Sequence, residues 1–96
     1  MEKQYFIVRA LDASDSAEAR SRLVDAHRAY IRKEGPVTMV HGGPLLGGEG
    51  DTIGTCLIVI ADGKTDVEKW LSHCPFVAGG VFQNLTVERW GWTYGR

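Results

Sequence analysis

The order of strand-like and helix-like segments constrains this chain most, because a helix between two strands limits how those strands can pair. Four segments have the apolar and β-branched composition of strands: residues 4–10, 37–41, 53–61 and 81–90. One helical segment lies between the first and second strands, and another lies between the third and fourth. The predicted order is therefore β-α-β-β-α-β.

The first helix is predicted from a D-x-x-E capping box formed by Asp15 and Glu18, and it should run to about Glu34, before a Gly-Pro pair. Helical spacing places one set of residues on its inward face: Arg20, Leu23, Val24, His27, Tyr30 and Ile31. The opposite face is predicted to be solvated and carries Arg22, Asp25, Arg28, Arg32 and Lys33.

The second helix is predicted from another capping box, Thr65 with Glu68, and it should end before Pro75. Residues 42–52 hold five glycines and a proline and are predicted to be a loop. The segment 53–61 is apolar almost throughout, so it is predicted to be a central strand covered on both faces.

A crossover helix that occurs twice predicts an α+β chain of the ferredoxin-like βαββαβ type, with an antiparallel four-stranded sheet and two helices on one face. The 96 residues allow one domain, 1–96, with a thin core. The opposite face of the sheet needs a cover, and we expect a homodimer because a second copy can supply it.

Composition excludes several classes of protein. A hydrophobic share of 44% is ordinary for a packed domain, so disorder is not expected. Eleven basic and twelve acidic residues show no basic excess, so no nucleic-acid partner is expected. No apolar run approaches the roughly 20 residues of a membrane span. The amino terminus leads straight into a strand without a signal peptide, so a cytoplasmic location is expected.

The cysteines and histidines show no metal-ligand spacing. They are Cys56, Cys74, His27, His41 and His73. No pair among them forms a C-x-x-C or H-x-x-x-H motif, so neither a metal nor another cofactor is predicted. The two thiols are expected to be reduced.

Three features are candidates for chemistry. His27 lies on the inward face one turn before Tyr30, as a general base or as a hydrogen-bonded core residue. The glycine-rich segment with His41, Pro44 and Leu45 is either a ligand loop or a flexible connection, and it lacks the Gly-Lys-Ser/Thr of a phosphate-binding loop.

Cys74, followed by Pro75 and Phe76, is either a nucleophile or a small apolar filler. Its predicted place at a helix carboxyl end would raise the thiol pKa, which favours the filler. The aromatic tail, residues 90–94, can pack under the sheet, cross to a partner or stack on a flat ligand, and packing in a dimer is the favoured prediction.

Taken in order, these residues resemble the YciI-like (YCII) family over roughly residues 5–90. The motifs that carry the resemblance are Asp12 after the first strand, Arg20 seven residues before His27, Gly43-Pro44-Leu45 with Gly54-Thr55, and Pro75-Phe76-Val77 with Gly80-Val81-Phe82. Two positions depart from the family: Cys74 replaces the aspartate of Asp-Pro-Phe, and Val24 replaces an arginine.

The resemblance implies a dimeric α+β barrel type of assembly with an Asp–His dyad in a pocket. It also implies cofactor-free lyase or isomerase chemistry on a small hydroxylated ring, such as dehydrochlorination of a chlorinated hydroxyquinol in aromatic degradation. With the family aspartate missing at Cys74, Asp12 is the expected partner of His27.

In this hypothesis His27 removes a proton, Asp12 orients its imidazole, and Arg20 or His41 stabilises the developing oxyanion. The predicted substrate-binding residues are Arg20, Tyr30, His41, Pro44, Leu45, Cys74 and Phe76. The alternative is a small-molecule binder or accessory dimer that has lost the dyad. An RNA-binding module is remote, because the strands lack its basic and aromatic motif.

Overall fold

The computed structural model describes residues 3–95, and its elements follow the predicted order with one short helix added. The elements are β1 (Gln4–Asp12), α1 (Ala17–Ile31), β2 (Thr38–Leu46), β3 (Thr52–Ala61), α2 (Lys64–Ser72), α3 (Pro75–Ala78) and β4 (Phe82–Trp90). No helix within these residues is long and apolar enough to cross a membrane.

The four strands form one sheet in the order β2-β3-β1-β4, and each neighbouring pair is antiparallel. Strands β1 and β3 lie at the centre, as the crossover pattern requires. The predicted ferredoxin-like α+β fold is therefore confirmed.

The hydrophobic core lies between the helices and one face of the sheet. It is formed by Phe6 and Val8 of β1, Leu57 and Val59 of β3, and residues such as Ile31, Val67 and Leu71 of the helices. Along β3 buried residues alternate with partly exposed ones, among them Cys56, Ile58 and Ile60. The prediction that both faces of β3 are covered is therefore wrong within this chain, because the helices cover one face only.

Both predicted capping boxes are wrong. Asp15 adopts a left-handed backbone with φ 61°, and Ser16 becomes the residue that precedes α1. Gly63 precedes α2, which puts Thr65 inside the first turn. Neither of these helix starts has a capping hydrogen bond from a side chain. The first helix also ends at Ile31, three residues earlier than predicted.

Half of the predicted loop 42–52 is strand. Gly42 pairs with Leu57, and Pro44 pairs with Thr55, so the glycine-rich segment continues β2. A Cβ at Gly42 would meet the Met39 Sδ at 2.7 Å, which explains why glycine fits this strand. Proline is tolerated because β2 is an edge strand, where a missing N–H breaks few ladder bonds.

Candidate active site

A cleft of about 990 Å³ lies between α1 and the strands β2 and β3. That volume is at the upper end of the range for small-molecule sites. Five of the residues predicted for the site line it: Asp12, Arg20, His27, Pro44 and Phe76.

Arg20 and Asp12 form a two-pronged ion pair at the end of β1. The Arg20 Nε donates to one Asp12 oxygen at 2.8 Å, and its Nη2 donates to the other at 2.7 Å. The same Nη2 donates to the Thr55 hydroxyl at 3.0 Å. The guanidinium lies 4.7 Å from the ring centre of Phe76, as a cation–π pair does. Three neighbours therefore hold Arg20 in place at the cleft wall.

The expected pairing of Asp12 with His27 is not observed, because both Asp12 oxygens accept hydrogen bonds from Arg20. The partner of His27 is Cys74, whose Sγ lies 3.1 Å from the His27 Nδ1. This contact joins residues 47 positions apart in the sequence.

Packing fixes the orientation of the His27 imidazole. The ring stacks on Phe76 with 3.8 Å between centroids and 7° between planes. His27 is 4% exposed, and Cys74 behind it is 1% exposed. Because Nδ1 contacts the sulfur, Nε2 is the nitrogen that remains for a molecule in the cleft.

Both members of this pair are uncharged at neutral pH. Burial, followed by the charges of Arg20 and Arg28, lowers the pKa of His27 to about 4. Burial raises the pKa of the Cys74 thiol, although the backbone amides of Val77 and Phe76 oppose that shift. A neutral imidazole can accept a proton, and its pKa of about 4 makes it a weaker base than an ordinary histidine.

The environment of Cys74 does not favour a nucleophile, since the thiol is protonated, buried and absent from the lining of the cleft. The sequence attributed its raised pKa to a helix carboxyl end. The structure places Cys74 between the carboxyl end of α2, where its amide donates to the Leu71 carbonyl at 3.0 Å, and the start of α3; burial is the main cause of the shift in its pKa.

Three other predicted substrate-binding residues, Tyr30, His41 and Leu45, are not among the residues that line the cleft. The Tyr30 hydroxyl donates to the Trp70 carbonyl at 2.7 Å. His41 packs edge-on against Trp92 at 5.2 Å. Of the two residues predicted for the oxyanion site, the structure thus places Arg20 in the lining of the cleft and His41 outside it.

The two tryptophans of the tail pack against the chain's own residues, whereas Tyr94 is 93% exposed. Trp92 contacts Tyr5 at 5.4 Å and Trp90 at 5.6 Å between ring centroids. Trp92 therefore packs on the sheet within this chain, and the favoured packing of the tail in a dimer stays a prediction.

Sequence reasoning missed Thr55, Arg28 and Arg32. Thr55 reaches the site through its hydrogen bond to Arg20, which only the fold reveals. Arg28 and Arg32 were placed on the solvated face; they are exposed, yet they also border the cleft. Within residues 3–95 no group of three His, Cys, Asp or Glu side chains could hold a metal ion.

Comparison with known proteins places this geometry in context. The family described as YCII-related domain matches residues 5–91. No curated protein matches the chain. Among solved structures, the chain is similar to 5-chloro-2-hydroxyhydroquinone dehydrochlorinase (TftG) from Burkholderia phenoliruptrix AC1100, in complex with 2,5-dihydroxybenzoquinone. The TM-score is 0.78 and the identity 28%, over 91% of this chain and 93% of that one.

A second similar structure is a candidate antibiotic biosynthesis monooxygenase from Nitrosomonas europaea. Its TM-score is 0.55 at 16% identity, over 97% of this chain and 92% of that one. At that identity the likeness shows the fold alone.

Proposed function

We propose that this chain, which belongs to the YCII-related domain family, is a cofactor-free lyase or isomerase that acts on a small hydroxylated ring through proton transfer at His27. One observation carries the proposal: a neutral, immobilised imidazole lies at the wall of a cleft that can hold such a ring. The similarity to a dehydrochlorinase, at 28% identity, supports this class of chemistry.

Loss of hydrogen chloride from a chlorinated hydroxyquinol is the reaction that we favour. A base removes the proton of a ring hydroxyl, and the electron pair of that O–H bond becomes a carbonyl π bond. The ring electrons shift to the carbon that bears chlorine, and this carbon takes up a proton. A second ring hydroxyl then loses its proton, the electron pair of its O–H bond forms a second carbonyl, and the ring electrons expel chloride. The net loss is one proton and one chloride, so no oxidant or reductant is needed.

His27 is the proton acceptor in this scheme. For Nε2 to accept a proton, Nδ1 must carry the imidazole hydrogen and donate it to the Cys74 sulfur, 3.1 Å away. Arg20 supplies positive charge where a ring oxygen becomes negative, and Asp12 and Thr55 keep it oriented. Phe76, stacked on the imidazole, keeps it aligned.

A second candidate function is a ring-binding protein without turnover. It is favoured by the neutral thiol beside His27, because no anion contacts Nδ1 to stabilise the charged imidazolium. This function predicts that ring compounds bind without release of chloride.

We also propose that the chain acts as a homodimer. The sheet face away from the helices carries partly exposed Ile7, Ile58 and Ile60. Burying these side chains against a second copy would remove apolar surface from water. Light scattering of the purified protein tests this: a single species of monomer mass over a wide concentration range contradicts it.

The test of catalysis is the rate of chloride release from a chlorinated hydroxyquinol. Acid–base catalysis contributes about 10²–10⁴ in rate, so His27→Gln should lose that factor. His73→Gln, which changes an exposed histidine just after α2, is the matched control and should keep the native rate. Full turnover by His27→Gln contradicts the proposal, and binding without chloride release in the native protein favours the second candidate.

A further inference from the structure

The cleft carries positive charge that no acidic side chain cancels. Its charged lining residues are Asp12, Asp15, Arg20, Arg28 and Arg32. The charge of Arg20 is partly offset by Asp12 in the two-pronged ion pair. Among the ion pairs of the described chain, none includes Arg28 or Arg32. Arg28 and Arg32 therefore border the cleft, and Asp15 is the one lining carboxylate left to offset their charge.

Arg28 and Arg32 lie together at one end of the cleft. They are one helical turn apart, and the Arg32 amide donates to the Arg28 carbonyl at 3.3 Å. Asp15 lies beyond the other end of the same helix, before Ala17. The positive charge is thus concentrated at the carboxyl-terminal end of α1, while the ion pair of Arg20 occupies the opposite end.

The positive charge of Arg28 acts on the His27 imidazole. This charge is one of the causes that lower the pKa of His27, after burial and Arg20. Since this effect requires a positive potential at the imidazole, an anion held beside His27 is attracted by the same field.

The wall beside these arginines is apolar. Ile31, Met39 and Leu57 line the cleft with them. A flat ring can lie against these side chains while a substituent on its edge reaches Arg28 and Arg32. Guanidinium groups bind carboxylate and similar oxygen anions through paired hydrogen bonds.

We propose that the cleft selects rings that carry an anionic oxygen substituent, and that Arg28 and Arg32 bind this substituent. The inference names the substrate class of the proposed enzyme and rests on that function only for the choice of a ring as ligand. Two sources of the anion share this chemistry: a ring carboxylate and an ionised enol oxygen.

Binding measurements by calorimetry test the proposal without any need for turnover. The probes are 2,5-dihydroxybenzoate, which carries a carboxylate, 2,5-dihydroxybenzoquinone, which carries ionised enol oxygens, and neutral hydroquinone. We expect at least one anionic probe to bind about tenfold more tightly than hydroquinone at low salt, and the preference to shrink at high salt. Equal affinities for the anionic and neutral probes overturn the proposal.

Substitutions locate the anion site. Arg28→Gln combined with Arg32→Gln should reduce the preference to about twofold or less, with little change in the affinity for hydroquinone. Arg22→Gln is the matched control, because Arg22 is exposed on α1 and contacts Glu18 at 3.5 Å. It should keep the full preference.

The arginines also stand near a helix carboxyl end, where a cation can stabilise the helix. Thermal unfolding of each variant separates the two roles. A double variant with a lower Tm and an undiminished preference for anions overturns the proposal. If anion preference depends on the two arginines while native protein releases no chloride, the proposed function fails and the anion site stands.

Discussion

Replacing Cys74 by aspartate should raise the pKa of His27, so that its imidazole becomes protonated at a higher pH. The native partner of Nδ1 is a neutral thiol at 3.1 Å, and burial, Arg20 and Arg28 lower the pKa of the imidazole to about 4. A carboxylate in the Cys74→Asp variant would place a negative charge at the same contact. An opposite charge at this range favours the protonated imidazole.

The magnitude follows from the contact distance. Two unit charges about 4 Å apart interact by about 4 kcal/mol at an effective dielectric constant of about 20. Since 1.36 kcal/mol corresponds to one pKa unit, this equals about three units. The buried carboxylate loses hydration, which reduces the gain, so we expect a net rise of about two units. The pKa of His27 should move from about 4 to about 6.

The assay is an NMR titration of the imidazole resonances between pH 3 and pH 8. The exposed residues His41 and His73 serve as internal references in the same spectra. Cys56→Asp is the matched control, because Cys56 alternates with the inward residues of β3 and its side chain lies on the other face of the sheet. This control should leave the pKa of His27 within about half a unit of the native value.

Two results would refute the reasoning. One is a native His27 that titrates near its ordinary value of 6.5. The other is a folded Cys74→Asp variant whose His27 still titrates near 4. If the buried carboxylate prevents folding, Cys74→Ser keeps the test open: a neutral hydroxyl should leave the pKa of His27 within about one unit of native, and a larger rise contradicts the argument.

Three further predictions concern stability. The pKa of His27 is lower in the folded state, so its contribution to the free energy of unfolding is fully present above pH 6.5 and is lost as the pH falls toward 4, by at most about 3–4 kcal/mol. Urea unfolding of His27→Gln should lack this part of the pH-dependent loss, and an unchanged loss refutes the prediction. Arg20→Gln leaves Asp12 without its partner and should lower the free energy of unfolding by about 2–3 kcal/mol. The control Arg22→Gln, at an exposed ion pair, should lower it by less than about 0.5 kcal/mol. Equal losses in the two variants would contradict this prediction. A Cβ at Gly54 would collide with the Ala10 carbonyl oxygen, whereas Gly43 has open space, so Gly54→Ala should lower the Tm by several degrees and Gly43→Ala should not.

Local patterns predicted the order of elements and the inward face of α1. His27 and Ile31 are buried, and Arg20, Leu23 and Val24 are partly buried, as the helical spacing indicates. This succeeds because helical periodicity depends on neighbouring residues in the sequence. The homodimer and the catalytic roles remain predictions.

Contacts between distant segments could not be predicted in the same way. The glycines of β2 resemble a loop until they pair with β3. The His27–Cys74 contact spans 47 positions, and it depends on how α1 packs against α3. Asp12 and Arg20 are eight positions apart, but their pairing depends on the turn that joins β1 to α1. Each of these required the three-dimensional structure.

Pro44 has a consequence for association between chains. It lies in β2, an edge strand of the sheet, and it lacks the N–H that an added strand would use. The neighbouring Gly42 and Gly43 offer no side chains for a newcomer to pack on. This edge is therefore a poor template for amyloid-like strand addition. These three residues, which line the cleft, thus also help to keep that edge from recruiting foreign strands.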